Sequence, residues 1–96
     1  MSATRPWVDA FADDMEAKLA ENRHKGDRAG WAECDALWLL SRLMREVAEL
    51  TDVLGDEGLA DRRHCIRREC ADVANFAMMI SDVAGGMKPQ EPSDGR

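Results

Sequence analysis

Apolar residues follow a helical period along most of the chain. Trp7, Phe11, Met15 and Leu19 recur every four residues, with Asp9, Asp13, Asp14, Glu16 and Lys18 off that line, which predicts an amphipathic helix over 6–22. Thr4 ahead of Arg5-Pro6 reads as its N-cap, with the proline in the first turn. Lys25-Gly26-Asp27 and Gly30 interrupt the pattern, so 22–31 reads as a polar, basic, glycine-containing loop. A second helix is expected over 33–54, with Leu37, Leu40, Met44, Val47, Leu50 and Leu54 as its core stripe. Gly55-Asp56-Glu57-Gly58 is a turn. A third helix is expected over 60–84, with Ile66, Cys70, Val73, Ala77, Ile80 and Ala84 as its apolar set and Gly85-Gly86 as its stop. No stretch alternates with period two. The predicted fold class is therefore all-α: a helical bundle formed by a single domain over 1–86, followed by a flexible C-terminal tail over 87–96.

Trp7 is expected in the core. Trp38, Leu39, Leu43, Phe76, Met78 and Met79 widen the apolar surface beyond one stripe per helix. Three helices with such wide faces predict a bundle completed by a second copy, as a homodimer or homotetramer.

Charge and cysteine content narrow the function classes. The net charge of −6 argues against a nonspecific grip on nucleic acid, which needs a positive face. Cys34, Cys65 and Cys70 form no CxxC pair, and their odd number argues against a disulfide framework and for a reducing compartment. His64, Cys65 and Cys70 fit no common zinc spacing. No apolar run approaches the roughly 18 residues of a membrane span, and the N-terminus does not read as a signal peptide. The expectation is a cytoplasmic protein with no nucleic-acid or membrane partner.

The carboxylates change the picture. Glu46-Val-Ala-Glu49 lies on the second expected helix and Glu69-Cys-Ala-Asp72 on the third. Residues three apart on a helix sit about 60° apart around the axis and roughly 4.5 Å along it, so each helix offers two carboxylates from one face. Counted away from the intervening turn, Glu49 and Glu69 lie at similar depth, as do Glu46 and Asp72. Four converging carboxylates repel: two unit charges about 4 Å apart cost roughly 4 kcal/mol at an effective dielectric of 20. A fold that keeps them together is expected to hold divalent cations, and all-oxygen ligands suit magnesium, manganese or calcium. A single Glu-x-x-Glu is ordinary helix surface; two facing pairs are more specific. A di-iron bundle would need Glu-x-x-His on two paired helices, and the chain has that spacing only once, at Glu21-x-x-His24.

The paired motif, Glu46-x-x-Glu49 and Glu69-x-x-Asp72, resembles the signature of the all-α nucleoside triphosphate pyrophosphohydrolases, the MazG-like family. The resemblance covers roughly 22–83 and extends to Leu50 after Glu49 and Val73 after Asp72. Many members carry a further glutamate just before the first motif glutamate; Arg45 stands there in this chain. Lys25-Gly26, Gly30-Trp31 and Asp72-Val73-Ala74-Asn75-Phe76 look like phage-type members, including the MazZ subset that acts on dGTP; a phage-encoded chain would work in the host cytoplasm.

The resemblance implies a MazG-like bundle, subunit contacts at the active site, Mg2+ or Mn2+ on Glu46, Glu49, Glu69 and Asp72, and hydrolysis of a (d)NTP to monophosphate and pyrophosphate. Under that reading Glu46 or Glu49 is the catalytic base, and Lys25 and Arg28, with Arg68 as a weaker candidate, meet the leaving pyrophosphate. Asn75 hydrogen-bonds a phosphate or sugar. Trp31 and Trp38 stack on the base, and Asn22 bonds the base or ribose. Each of these has a plainer alternative: solvated charge for the cations, core packing for the tryptophans, a satisfied amide for Asn75, a helix cap for Asn22. A purine deoxynucleotide, dGTP first, is the expected substrate. The alternatives are a non-catalytic acidic interaction module, a broad housecleaning hydrolase, or a dUTP/dUDP hydrolase of the same fold.

Overall fold

The computed structural model describes residues 4–89, and over them the chain is all-helical. Helix α1 runs Pro6–Glu21, α2 Ala36–Gly55 and α3 Arg62–Gly85, with two short 3₁₀ turns, Arg23–Lys25 and Asp27–Gly30, between α1 and α2. Residues 90–96, most of the expected tail, lie outside the described residues. No described helix is long and apolar enough to cross a membrane.

Helix starts differ from expectation by a few residues, for local reasons. The N-cap of α1 is Arg5, with Pro6 in the first turn, one residue later than the Thr4 cap expected. Helix α2 begins at Ala36, not near Glu33. Asp35 caps it: its Oδ2 accepts from the backbone N–H of Leu37 (3.0 Å) and Trp38 (3.2 Å), satisfying two of the donors a helix start leaves open. Helix α3 starts after Asp61, which takes a left-handed φ of 54°, a conformation aspartate tolerates better than most residues.

Helix α3 is the spine. Arg62 at its start donates to the Leu54 carbonyl at the end of α2 (2.8 Å), and Glu46 farther back on α2 meets Asp72 farther along α3, so α2 and α3 run antiparallel. Helix α1 also packs antiparallel on α3: Asn75 Nδ2 donates to the Met15 carbonyl (3.1 Å), and Glu21, nearer the end of α1, meets Arg68, earlier on α3. The segment 22–35 therefore carries the chain back along α3 to start α2.

The core is thin and half of it is polar. Among the described residues only Leu39 and Ala71 are buried apolar residues; Glu46 and Asn75 are buried with them. The α2 stripe expected to form the core is largely outside it: Leu37, Leu40, Met44, Val47 and Leu54 are all exposed, Leu37 at 74%. The side of α2 that meets α3 carries Leu39, Leu43, Glu46 and Val53, together with Leu50, which falls there as expected. At 100° per residue the two sets lie about 110° apart on the helix, so α2 has two apolar faces and only one is covered. Trp7 is 85% exposed and Phe11 39%, against the expectation of a core Trp7, because only the C-terminal half of α1, with Met15, Lys18, Leu19 and Asn22, reaches cover.

Candidate functional site

The antiparallel register of α2 and α3 brings the motif carboxylates together. One oxygen each from Glu46, Glu49 and Glu69 lies within 4.8 Å of the others. Asp72 completes the group on the Glu46 side, where its charge raises the Glu46 pKa. Burial grades across the cluster: Glu46 is buried, Glu69 and Asp72 are half-buried and Glu49 is exposed. This is the pairing by depth that the spacing predicted.

Electrostatics follow burial. Glu46 is pushed up to about 7, first by loss of water and then by the charges of Asp72, Glu49 and Glu69. Burial also raises Glu69, with Glu49 and Asp72 adding to it, and it raises Asp72 against the opposing pull of Lys18. Glu46 Oε1 and Glu69 Oε1 are buried and have no hydrogen-bond partner. An uncompensated buried carboxylate oxygen is costly, and two of them within a cluster of this kind fit an oxygen-preferring divalent cation. The donor set is entirely carboxylate, as Mg2+ and Mn2+ favour.

Lys18 sits closer to the site than its sequence pattern predicts. It was expected off the apolar line of α1, yet its side chain is only 13% exposed and its Nζ lies 3.5 Å from Asp72 and 3.6 Å from Glu21. It brings one fixed positive charge to the cluster. Its spacing held the clue: Lys18 follows Met15 by three residues and precedes Asn22 by four, so all three share a face.

A cleft of about 190 Å³ opens beside Asp72. It is lined by Asn22, Lys25, Trp31, Trp38 and Asn75, five of the six residues expected to contact substrate, and by Arg42, Phe76 and Met79 among others. The Arg42 guanidinium lies 5.9 Å from the Trp38 ring centre, within range of a cation–π contact. At the cleft wall Asn75 is 4% exposed, with its Oδ1 unpartnered. Asn22 caps its own helix by donating from Nδ2 to the Lys18 carbonyl (3.2 Å), the plainer role foreseen for it, while still lining the cleft.

Arg28 and Arg68 are engaged elsewhere. Arg28 is not among the lining residues; its guanidinium grips Asp82 through two bonds of 2.8 and 3.0 Å. Arg68 grips Glu21 with both terminal nitrogens, which lowers the Glu21 carboxyl to about 2. Neither guanidinium is free for a phosphate in this arrangement. Asp82 itself was not foreseen. The signal was present in the line Asp72, Asn75, Met79, Asp82, whose three- and four-residue steps mark one face of α3. The three cysteines are free and half-buried.

The arrangement joins a carboxylate cluster able to hold cations to a cleft with two indoles, a lysine and a buried amide. Comparison with protein-family models, curated proteins and solved structures found no match to this chain.

Proposed function

We propose that the protein is a divalent-cation-dependent nucleoside triphosphate pyrophosphohydrolase that cleaves between the α- and β-phosphates. The observation that carries this reading is the convergence of Glu46, Glu49 and Glu69, with two buried oxygens left unpartnered, next to a cleft of nucleoside-like lining. The likeness of the paired motif to the MazG-like family points the same way. Glu46, Glu49, Glu69 and Asp72 would hold Mg2+ or Mn2+, which supplies charge neutralisation for a triphosphate and lowers the pKa of water.

The residues divide the work by position. Glu46 or Glu49, both within the cluster, is the proposed base that takes the proton of an attacking water. Lys18 opposes the rise that burial imposes on Asp72 and limits the repulsion within the cluster. Lys25 at the cleft edge offers a mobile positive charge to the leaving pyrophosphate. Trp31 and Trp38 offer ring faces to a base, and stacking contributes roughly 1–3 kcal/mol per base. Larger bases gain more, which favours a purine; the deoxynucleotide, with dGTP first, is proposed on the likeness of Lys25-Gly26 and Asp72-Val73-Ala74-Asn75-Phe76 to the MazZ subset. The uncovered apolar faces of α1 and α2 are proposed to pack against further copies, as a homodimer or homotetramer.

Incubation with each NTP and dNTP plus Mg2+ or Mn2+, followed by chromatography, tests the reaction. Monophosphate and pyrophosphate are expected, with turnover abolished by chelation. Stepwise release of inorganic phosphate would place cleavage at the γ-phosphate and overturn the proposal, as would an absence of turnover with every triphosphate. Competition among the four dNTPs tests the base preference; equal consumption of all four points to a broad housecleaning hydrolase, and preference for a pyrimidine overturns the dGTP assignment.

A further inference from the structure

Asp82 lies on the last turns of α3, beyond the carboxylate cluster, and only 7% of its side chain is exposed. Three donors from the crossover segment meet on its carboxylate: Arg28 Nε at 2.8 Å, Arg28 Nη2 at 3.0 Å and Trp31 Nε1 at 3.0 Å. The paired guanidinium bonds and the indole bond together hold this carboxyl below its ordinary range. The forked Arg28 bond has a fixed direction. The indole has a single N–H, so anchoring it fixes how the ring is turned as well as where it sits.

The other bonds of the crossover are local, backbone turns such as Gly30 N–H to the Gly26 carbonyl (3.1 Å) and the Arg23–Asp27 pair at 3.9 Å. Neither of its 3₁₀ turns contains a buried residue or a side-chain cap. Arg28 is not among the residues that line the cleft, while Trp31 is. One carboxylate outside the cleft lining therefore holds an aromatic side chain that belongs to it.

We propose that Asp82 is a positioning residue for the nucleoside half of the cleft, acting through Trp31 by holding the indole where its face can stack on a base. The proposal rests on the reading of this cleft as a nucleotide site. Asp82 touches no reacting group, so its loss should act on binding of the base and leave the cation chemistry in place.

The test is a tryptophan-fluorescence titration of the full chain with dGTP, and a competition titration with pyrophosphate as the baseless probe, both with Mg2+, run beside dGTP hydrolysis. Asp82→Leu is expected to weaken dGTP binding about tenfold, the scale of one lost stacking contact, to raise KM with kcat within about threefold, and to leave pyrophosphate affinity unchanged. Asp82→Asn keeps an acceptor for the indole and should recover most of the affinity. In a Trp31→Ala background, Asp82→Leu should cost nothing further. Trp31→Phe, which keeps a ring but deletes the N–H, should lose several-fold and tests the bond without touching Asp82. Equal weakening of dGTP and pyrophosphate, additive losses for Asp82 and Trp31, or a Trp31→Phe variant that binds dGTP like the wild type would each overturn the proposal. A drop in Tm with unchanged dGTP binding would also overturn it, reducing Asp82 to a structural tie. Asp82-dependent binding of dGTP without hydrolysis would sink the proposed reaction and keep the Asp82 role. Hydrolysis with Asp82→Leu indistinguishable from wild type would do the reverse, and a wild type that binds no nucleotide would end both.

Discussion

Glu46 concentrates the conflict between folding and chemistry in one side chain. Its carboxyl has an ordinary pKa of 4.5 in the unfolded chain and about 7 in the fold. A group raised in this way folds without penalty while protonated and costs stability once it ionises. In cation-free buffer, stability should therefore fall as pH rises from about 4.5 to beyond 7, by up to about 3 kcal/mol from this residue. Glu69 and Asp72, also raised, add in the same direction. Asp14, Glu21 and Asp82 are lowered and lose stability only below about pH 4, so the two effects occupy separate windows. Thermal unfolding across pH 4–9 checks this. Stability that rises through pH 5–7 would contradict the assignment. Glu46→Gln should flatten the decline and raise Tm at pH 8 without metal, while lowering turnover by about a hundredfold or more if Glu46 takes the proton. Added Mg2+ or Mn2+ should raise the wild-type Tm at pH 8 and do less for Glu46→Gln.

At the scale of elements, the helices are held by local devices and the crossover by special backbone. Asp35 accepts from two open N–H groups of α2, so Asp35→Ala should cost about 1 kcal/mol by urea unfolding, with the site intact. Gly26 takes a φ of 103°, and a Cβ on Gly30 would fall 2.3 Å from the Lys25 carbonyl oxygen. Gly30→Ala must therefore push the two 3₁₀ turns apart. The expected result is weaker nucleotide binding, read by titration, with α-helix content by circular dichroism unchanged. The crossover is where sequence reading had least purchase. Its glycines announced a loop, yet the bonds that shape it, Arg28 and Trp31 to Asp82, join residues some fifty positions apart that no local pattern links.

For the molecule as a whole, the uncovered face of α2 is the dominant feature. Leu37, Leu40, Met44, Val47 and Leu54 form a stripe on one face of the helix, all exposed, beside a core with two buried apolar residues among those described. Contiguous apolar surface on this scale is uncommon on a monomer. Under the proposed self-association, light scattering should give a multiple of 10.7 kDa. Met44→Glu, which places a charge within the stripe, should shift the mass toward the monomer and lower Tm. A wild type that stays at a single-chain mass at micromolar concentration would remove the oligomer from the proposal.

The sequence alone determined that the chain is three helices, because the period of its apolar residues and its glycine breaks are local properties. It also determined that Glu46, Glu49, Glu69 and Asp72 could converge, because three-residue spacing on two helices joined by a short turn leaves little freedom of register. Tertiary structure decided the rest. Helix α2 carries two apolar faces of similar strength, and periodicity cannot say which one α3 covers; packing chose Leu39, Leu43, Leu50 and Val53, with Glu46 among them. Lys18 joined the cluster and Arg28 left the cleft because each met a carboxylate on α3, Asp72 and Asp82. A charge shows in sequence as a charge, and its partner is set only when distant segments come within a few ångströms, where Coulomb attraction and desolvation act together.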